Sequence, residues 1–476
     1  MESGMDSEYD VIVLGAGAVG ENVADRAVQG GLTAVIVESE LVGGECSYWA
    51  CMPSKALLRS AQVLRAARAV SGAAEAVTGE LDVQAVLARR NSFTSNWKDE
   101  GQVQWLDSAG ISLVRGHGRI TAAKEVTVTA GDGSATVLTA RHAVVVSTGS
   151  DAFVPDIPGL REAGPWTSRD ATSAQSVPAS LAIIGGGVVA VEMATAFAGF
   201  GTAVTVISRS GLLTNSEPFA GERVAEALRE QGATVLLDTK TNRVTRTPDG
   251  VVLELVNGTT VEAEQVLVAT GRTPRTGDVG LEAIGLEPGS WLETDDTLLV
   301  RGFDWLYATG DVNNRALLTH QGKYQARAAG DVIAARAKGA PVSDAPWGTH
   351  VATADHQAVP QVTFSEPEVA SVGLTSAAAR EAGYDLRVVD YEIGQVSGAQ
   401  VRADGYRGTA RMVVDERRKV ILGVTFVGPD VSELLQAATF AVVAEIPLDR
   451  LWHSVPAYPT VNEIWLRLLE TYGRPA

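Results

Sequence analysis

Short, unbroken apolar runs that end in glycine are the first pattern in the chain. DVIVL at residues 10–14 runs straight into GAGAVGENVADRAVQGG, and TAVIVE follows at 33–38. Continuous Val and Ile runs fit strands covered on both faces, so this stretch predicts a strand, glycine turn, helix and second strand. LAIIGGGVVAVEMATAFAGFGTAVTVIS at 181–208 repeats that order. A repeat of this kind predicts two copies of one supersecondary unit. Further buried strands are predicted at 143–149 (AVVVSTG), 265–271 (QVLVATG) and 305–311 (WLYATGD), with helices over 54–70 and 316–337.

From about residue 348 the period changes. PQVTFSEPEVASVGLT, LRVVDYEIG, GTARMVVDE and KVILGVTFVG read as alternating strands with turns, followed by a helix over 431–443 and an amphipathic helix after Tyr458, Pro459 and Glu463. That pattern predicts an antiparallel sheet flanked by helices. Pro155 and Pro158 mark a linker after the strand at 143–149. The fold class is therefore α/β, with two Rossmann-like dinucleotide-binding domains and an α+β C-terminal domain.

Composition narrows the function. The 476 residues, 45% of them hydrophobic, suit about three domains with substantial cores. A net charge of -18 and a pI near 4.9 argue against general nucleic-acid binding, which needs clustered Lys and Arg. No apolar run approaches a membrane span, and the opening MESGMDSEYD is unlike a signal peptide, so a soluble cytoplasmic protein is expected. An anionic cofactor must be held by local devices, namely glycine turns and helix N-termini.

Those devices are present twice. Gly15, Gly17 and Gly20 occupy the dinucleotide fingerprint: a tight turn, a close backbone approach to pyrophosphate, and a close helix contact. Glu38 ends the second strand, where it can accept hydrogen bonds from an unphosphorylated ribose. In the repeat, Gly185, Gly187 and Ala190 take the fingerprint positions, and the offset that yields Glu38 lands on Ser208, followed by Arg209. Losing the acid and gaining an arginine suits a ribose 2′-phosphate, so the second site is expected to prefer NADPH, with NADH possible. Thr148, Gly149, Gly271 and Asp311 lie at strand ends, where backbone or carboxylate can meet a ligand; Thr319 and His320 start the following helix.

Residues 43–60, GGECSYWACMPSKALLRS, hold both cysteines of the chain, Cys46 and Cys51. Three readings apply: a buried apolar turn, a zinc site, or a redox dithiol. Zinc lacks the usual four ligands, because no His or second Cys pair lies nearby, and no metal site is expected. Residues five apart on a regular helix point about 140° away from each other, so a bond between the sulfurs needs a distorted backbone, which Gly43, Gly44 and Pro53 favour. Cys51 precedes the helix at 54–70, whose N-terminus lowers a thiol pKa.

Taken together, CSYWACMPSK, the paired fingerprints, ATGR at 269–272, ATGD at 308–311 and PQVTFSEPEVASVGLT resemble the pyridine nucleotide-disulfide oxidoreductases, the flavoproteins that include dihydrolipoamide dehydrogenase, glutathione reductase and mercuric reductase. The resemblance covers essentially the whole chain. It implies a first FAD domain part at 1–152, an NAD(P)H domain at 153–276, the rest of the FAD domain at 277–347, and a dimerisation domain at 348–476. FAD would meet Gly15, Gly17, Gly20, Glu38, Gly44, Lys55, Thr148, Gly149, Asp311, Thr319 and His320; NADPH would meet Gly185, Gly187, Ala190, Glu192, Ser208, Arg209 and Gly271. The resemblance makes Cys51 the thiolate beside the flavin and Cys46 the interchange thiol, and pairs Lys55 with Glu192. Tyr458 and Glu463 of the C-terminal segment would complete the partner's site in a homodimer.

This chain departs from the family at three places. Glu45 stands where threonine is common beside the FAD pyrophosphate, and an acid there repels phosphate unless its side chain turns away. Arg275 stands where asparagine is common. The family's catalytic His-Pro-Thr is here Tyr458, Pro459 and Thr460. Tyrosine ordinarily titrates at about 10, so Tyr458 donates a hydrogen bond more readily than it acts as a base. The expected function is an NADPH-preferring, FAD-dependent reductase that passes electrons through Cys46 and Cys51 to a disulfide or other acceptor. The alternatives are a quinone or mercuric-type reductase, and a flavin-binding redox sensor with little turnover.

Overall fold

The computed structural model describes residues 7–474. The chain forms two compact units, each assembled from three segments. Of the described residues, 7–53, 91–152 and 272–356 form the first; 54–90, 153–271 and 357–474 form the second.

A seven-stranded sheet organises the first unit. Its order is Ser112–Arg115, Ala34–Glu38, Glu8–Leu14, Ala135–Val146, Glu125–Thr129 and His117–Ala122, with Leu306–Ala308 also paired to Ala135–Val146. Residues 11–14 of the strand Glu8–Leu14 are apolar without alternation because both faces are covered there. Ile12 and Leu14 join one core with Val35 and Val37; Val11 and Val13 join the opposite core with Ala34 and Ile36. Full burial of each such side chain stabilises the sheet by about 1.5–3 kcal/mol. Parallel register aligns Leu14 with Val37 and Val146, and Val146 with Ala308. The C-terminal ends of four strands therefore meet at one edge, where open α/β sheets bind ligands.

In the second unit the repeat forms a parallel sheet in the order Thr234–Leu236, Ala203–Ile207, Ser180–Ile184 and Gln265–Val268. A three-stranded antiparallel sheet runs through Thr241–Thr247, Gly250–Leu255 and Thr260–Ala263. The C-terminal part is a five-stranded antiparallel sheet in the order Gln361–Thr363, Glu368–Gly373, Val420–Gly428, Thr409–Asp415 and Leu386–Glu392.

The units depart from the expected domain boundaries at residues 54–90, 272–276 and 348–356. Strand Arg272–Pro274 pairs with Ser150–Ala152, which draws the chain after Gly271 into the first unit. Residues 54–90 group with the second unit because Leu57 and Leu58 bury themselves against Val86, Leu87 and Ala196. The helix expected over residues 54–70 starts and ends earlier, at Cys51–Arg68.

Candidate functional site

The edge where the strand ends meet is a cleft of about 660 Å³, within the usual range for small-molecule sites. Gly15, Gly17, Glu38, Gly44, Thr148, Gly149, Asp311 and Thr319 all line it, and so does Cys46. Gly15 has φ +101°, and a Cβ there would stand 2.5 Å from the Ser147 carbonyl oxygen. Only glycine makes this turn. Gly17 caps helix Ala18–Gln29 without a side-chain hydrogen bond, and a Cβ on it would meet nothing within 4 Å. The helix's first N–H groups thus face open space, the arrangement that binds phosphate.

The glycines before the dithiol pack on this turn. Gly43 donates its N–H to the Ala16 carbonyl at 2.8 Å and bridges to Gly17. A Cβ on Gly44 would lie 2.7 Å from the Gly17 Cα. Glu45, in the first turn of the short helix Gly44–Tyr48, is therefore held beside the fingerprint loop. These residues can hold the pyrophosphate of a dinucleotide. Glu38 has a task the sequence did not disclose, because its carboxylate accepts the N–H groups of Ala16 and Glu40, each at 2.7 Å. It braces the loop as well as facing the cleft.

Cys46 lies within Gly44–Tyr48, and Cys51 opens the helix Cys51–Arg68. The break that the pair needs falls at Trp49 and Ala50, where Trp49 leaves helical geometry at φ -135°. Pro53 sits in the first turn of the second helix, where its missing N–H costs nothing. Both cysteines are thiols in this structure. Cys51 Sγ is 3.3 Å from Thr319 Oγ1. The hydrogen bond to Cys51, aided by burial, holds the Cys46 thiol well above its ordinary range, so Cys46 keeps its proton beside Cys51. His320 is exposed and does not line the cleft.

Asp311 accepts a hydrogen bond from the Ser150 hydroxyl and stands 3.9 Å from Arg272. Glu21, which sequence reasoning passed over, is buried in the first turn of Ala18–Gln29, and its Oε1 has no hydrogen-bond partner among the described residues. Burial raises its pKa from 4.5 to about 7. The only sequence signal was a charge inside an otherwise apolar packing stripe.

In the second unit, Lys55 Nζ meets the buried Glu192 carboxylate at 3.0 and 3.3 Å, and Glu192 also accepts the Phe364 N–H at 3.0 Å. The Lys55 ammonium stands 4.7 Å from the Phe364 ring centre. Helix Val188–Gly199 starts at Gly187, again without a side-chain cap. Gly185 turns at φ +136°, Ala190 is fully buried, and Gly271 ends its loop at φ +145°. Ser208 is buried, with its hydroxyl 3.4 Å from the Gly211 carbonyl oxygen, while Arg209 beside it is exposed. Tyr458 is 75% exposed. Glu463 is buried at the start of helix Glu463–Tyr472, 3.4 Å from the Gly398 N–H and 3.9 Å from Arg467.

A family model described as pyridine nucleotide-disulphide oxidoreductase matches residues 9–331, and its dimerisation-domain counterpart matches residues 359–468. The chain belongs to the pyridine nucleotide-disulphide oxidoreductase family. It is 32% identical over 470 residues to a dihydrolipoyl dehydrogenase of Chlorobaculum tepidum, covering 96% of this chain and 95% of that one. It is 30% identical over 465 residues to a mercuric reductase of Staphylococcus aureus, covering 96% and 81%. The HOCl-induced flavoprotein disulfide reductase RclA from Escherichia coli, solved as a Cu(II) complex, has the same fold, with a TM-score of 0.83 at 23% identity over 98% of this chain and 99% of that one. As a member of this family the protein is a flavoprotein oxidoreductase that uses FAD and a nicotinamide cofactor, and its C-terminal part matches the family's dimerisation domain. Among the described residues, no helix is long and apolar enough to cross a membrane.

Proposed function

We propose that this oxidoreductase is an NADPH-preferring reductase whose Cys46 and Cys51 cycle between disulfide and dithiol and pass two electrons to a disulfide or other small acceptor. The observation that supports this reading most is the convergence of Cys46, Thr319 and the fingerprint loop on one cleft, with Cys51 at 3.3 Å from Thr319. FAD, when bound, carries reducing equivalents from the nicotinamide to the sulfurs. Reduction of the disulfide takes up two electrons and two protons. The Thr319 hydroxyl can donate to the Cys51 sulfur, and Cys46 retains its proton until it attacks an acceptor. Glu192 fixes the Lys55 ammonium one helical turn beyond Cys51. Tyr458, exposed on the C-terminal segment, donates a hydrogen bond to an acceptor in the partner subunit's site.

The NADPH preference rests on Ser208 and Arg209. The buried serine brings no charge to repel a 2′-phosphate, and the exposed guanidinium beside it can pair with one. Reduction of a quinone or metal ion is a second reading, favoured by Tyr458, because tyrosine is a poor base for disulfide exchange.

Anaerobic titration with NADPH tests the main reading. A long-wavelength thiolate-to-flavin band is expected in the wild type and absent in Cys51→Ser; a flavin that stays oxidised sinks the proposal. Arg209→Glu is expected to lower the NADPH to NADH ratio of kcat/KM about 10-fold or more, through loss of one charged contact, and an unchanged ratio removes the coenzyme assignment. NADPH oxidation with small disulfides, quinones and Hg(II), in wild type, Cys46→Ser and Tyr458→His, identifies the acceptor class. A disulfide acceptor requires Cys46 and gains from Tyr458→His, whereas a quinone reduced at the flavin requires neither.

A further inference from the structure

The cleft carries far more negative than positive charge for a site that binds a dianionic cofactor. Glu38, Glu40, Glu45, Asp151, Asp278 and Asp311 line it against two guanidinium groups, Arg272 and Arg275. Arg272 is occupied by Ser150 and Asp311. Arg275 faces three of the other acids: its Nε is 2.6 Å from Asp151, and its two terminal nitrogens are 3.6 Å from Glu45 and 3.9 Å from Glu40. Glu45 follows the glycines that pack on the nucleotide loop, and Arg275 follows the strand Arg272–Pro274. They stand together in the fold although they lie far apart in sequence.

We infer that Arg275 is a positioning residue for FAD: it draws the Glu45 carboxylate toward itself and neutralises it, so that the fingerprint loop can accept a pyrophosphate next to an acid. This inference rests on the flavoprotein reading. The pair is local to the loop, since Gly44 packs against Gly17 and places Glu45 next to it. Arg275 is pinned independently of its side chain, because its N–H donates to the Gly149 carbonyl at 3.0 Å and its own carbonyl accepts the Thr148 hydroxyl at 2.6 Å. Changing the side chain therefore leaves its backbone seat intact. Removing the guanidinium takes away a cation that stands within 4 Å of Asp151, Glu45 and Glu40. Removing Glu45 as well takes away the carboxylate that the nucleotide loop holds closest.

The test is a double-mutant cycle on the FAD dissociation constant of the full-length apoprotein, read by flavin fluorescence. Arg275→Ala is expected to weaken FAD binding by about 10- to 100-fold, as unpaired charges at binding sites do. Glu45→Thr alone is expected to change it by less than about 3-fold, and Glu45→Thr with Arg275→Ala to return it to within about 3-fold of wild type, the non-additivity of residues that act as a pair. The Arg275→Ala deficit should shrink as salt rises toward 1 M, where screening acts over about 3 Å. Apoprotein melting curves for the four proteins establish that each is folded. Additive effects, with the double variant as weak as Arg275→Ala, overturn the inference while leaving the flavoprotein reading in place. A wild-type apoprotein that takes up no FAD overturns both.

Discussion

Glu21 shows what a single buried carboxyl does to the pH response of the fold. Its pKa in the folded protein, about 7, exceeds the ordinary value of 4.5, because burial penalises the carboxylate. Between those values the folded state holds a proton that the unfolded state releases. The stability that Glu21 brings is therefore complete below pH 4.5 and is lost as pH rises through 7, to the extent of about 3 kcal/mol. Glu21→Gln should abolish that dependence. Urea unfolding of the two apoproteins at pH 5 and pH 8.5 is expected to show the variant gaining on wild type at the higher pH only; equal differences at both pH values would remove the assignment. The Cys46 thiol also holds its proton above the ordinary range, there through its hydrogen bond to Cys51 first and burial second.

At the scale of elements, the two glycine turns and the dithiol helix do the positioning. Helix Cys51–Arg68 sends Lys55 to Glu192 on helix Val188–Gly199, and the same carboxylate collects the Phe364 N–H ahead of the antiparallel sheet. One buried acid thus ties three segments of the second unit. Glu192→Ala removes the partner of both a partly exposed cation and a part-buried N–H, which costs about 1–3 kcal/mol. Glu192→Gln keeps an acceptor for Phe364 and should recover part of that stability. Denaturation midpoints of the two variants check this, and equal losses would show that the charge alone matters.

At the scale of the whole molecule, the match to the family's dimerisation domain leads us to expect a homodimer, and the exposed apolar side chains near the C-terminus suit that expectation. Phe440 is 61% exposed, Val455 85% and Tyr458 75% in the single chain. Solitary exposed hydrophobics need no explanation, but three such residues in the dimerisation domain fit a surface that a partner covers. Light scattering on the purified protein should give twice the 49.8-kDa chain mass. Phe440→Glu is expected to raise the dimer dissociation constant about 10-fold or more, as a charge buried at an interface does; an unchanged dimer would place the interface elsewhere.

The sequence by itself determined the paired strand-turn-helix units, because strand burial and glycine turns are local properties read from period and stereochemistry. It also exposed the dithiol and, through motif resemblance, the family. It did not disclose that Glu38 braces the loop at Ala16, that Thr319 meets Cys51, or that Glu45 and Arg275 face each other. Those pairings depend on strand order and register. Strand Arg272–Pro274 returns to Ser150–Ala152 and sets Arg275 beside the loop that Gly43 and Gly44 build on Gly17. Charge compensation between residues so distant in sequence exists only once the backbone has brought them within a few ångströms. For that reason tertiary structure alone decided how an acidic cleft can receive an anionic cofactor.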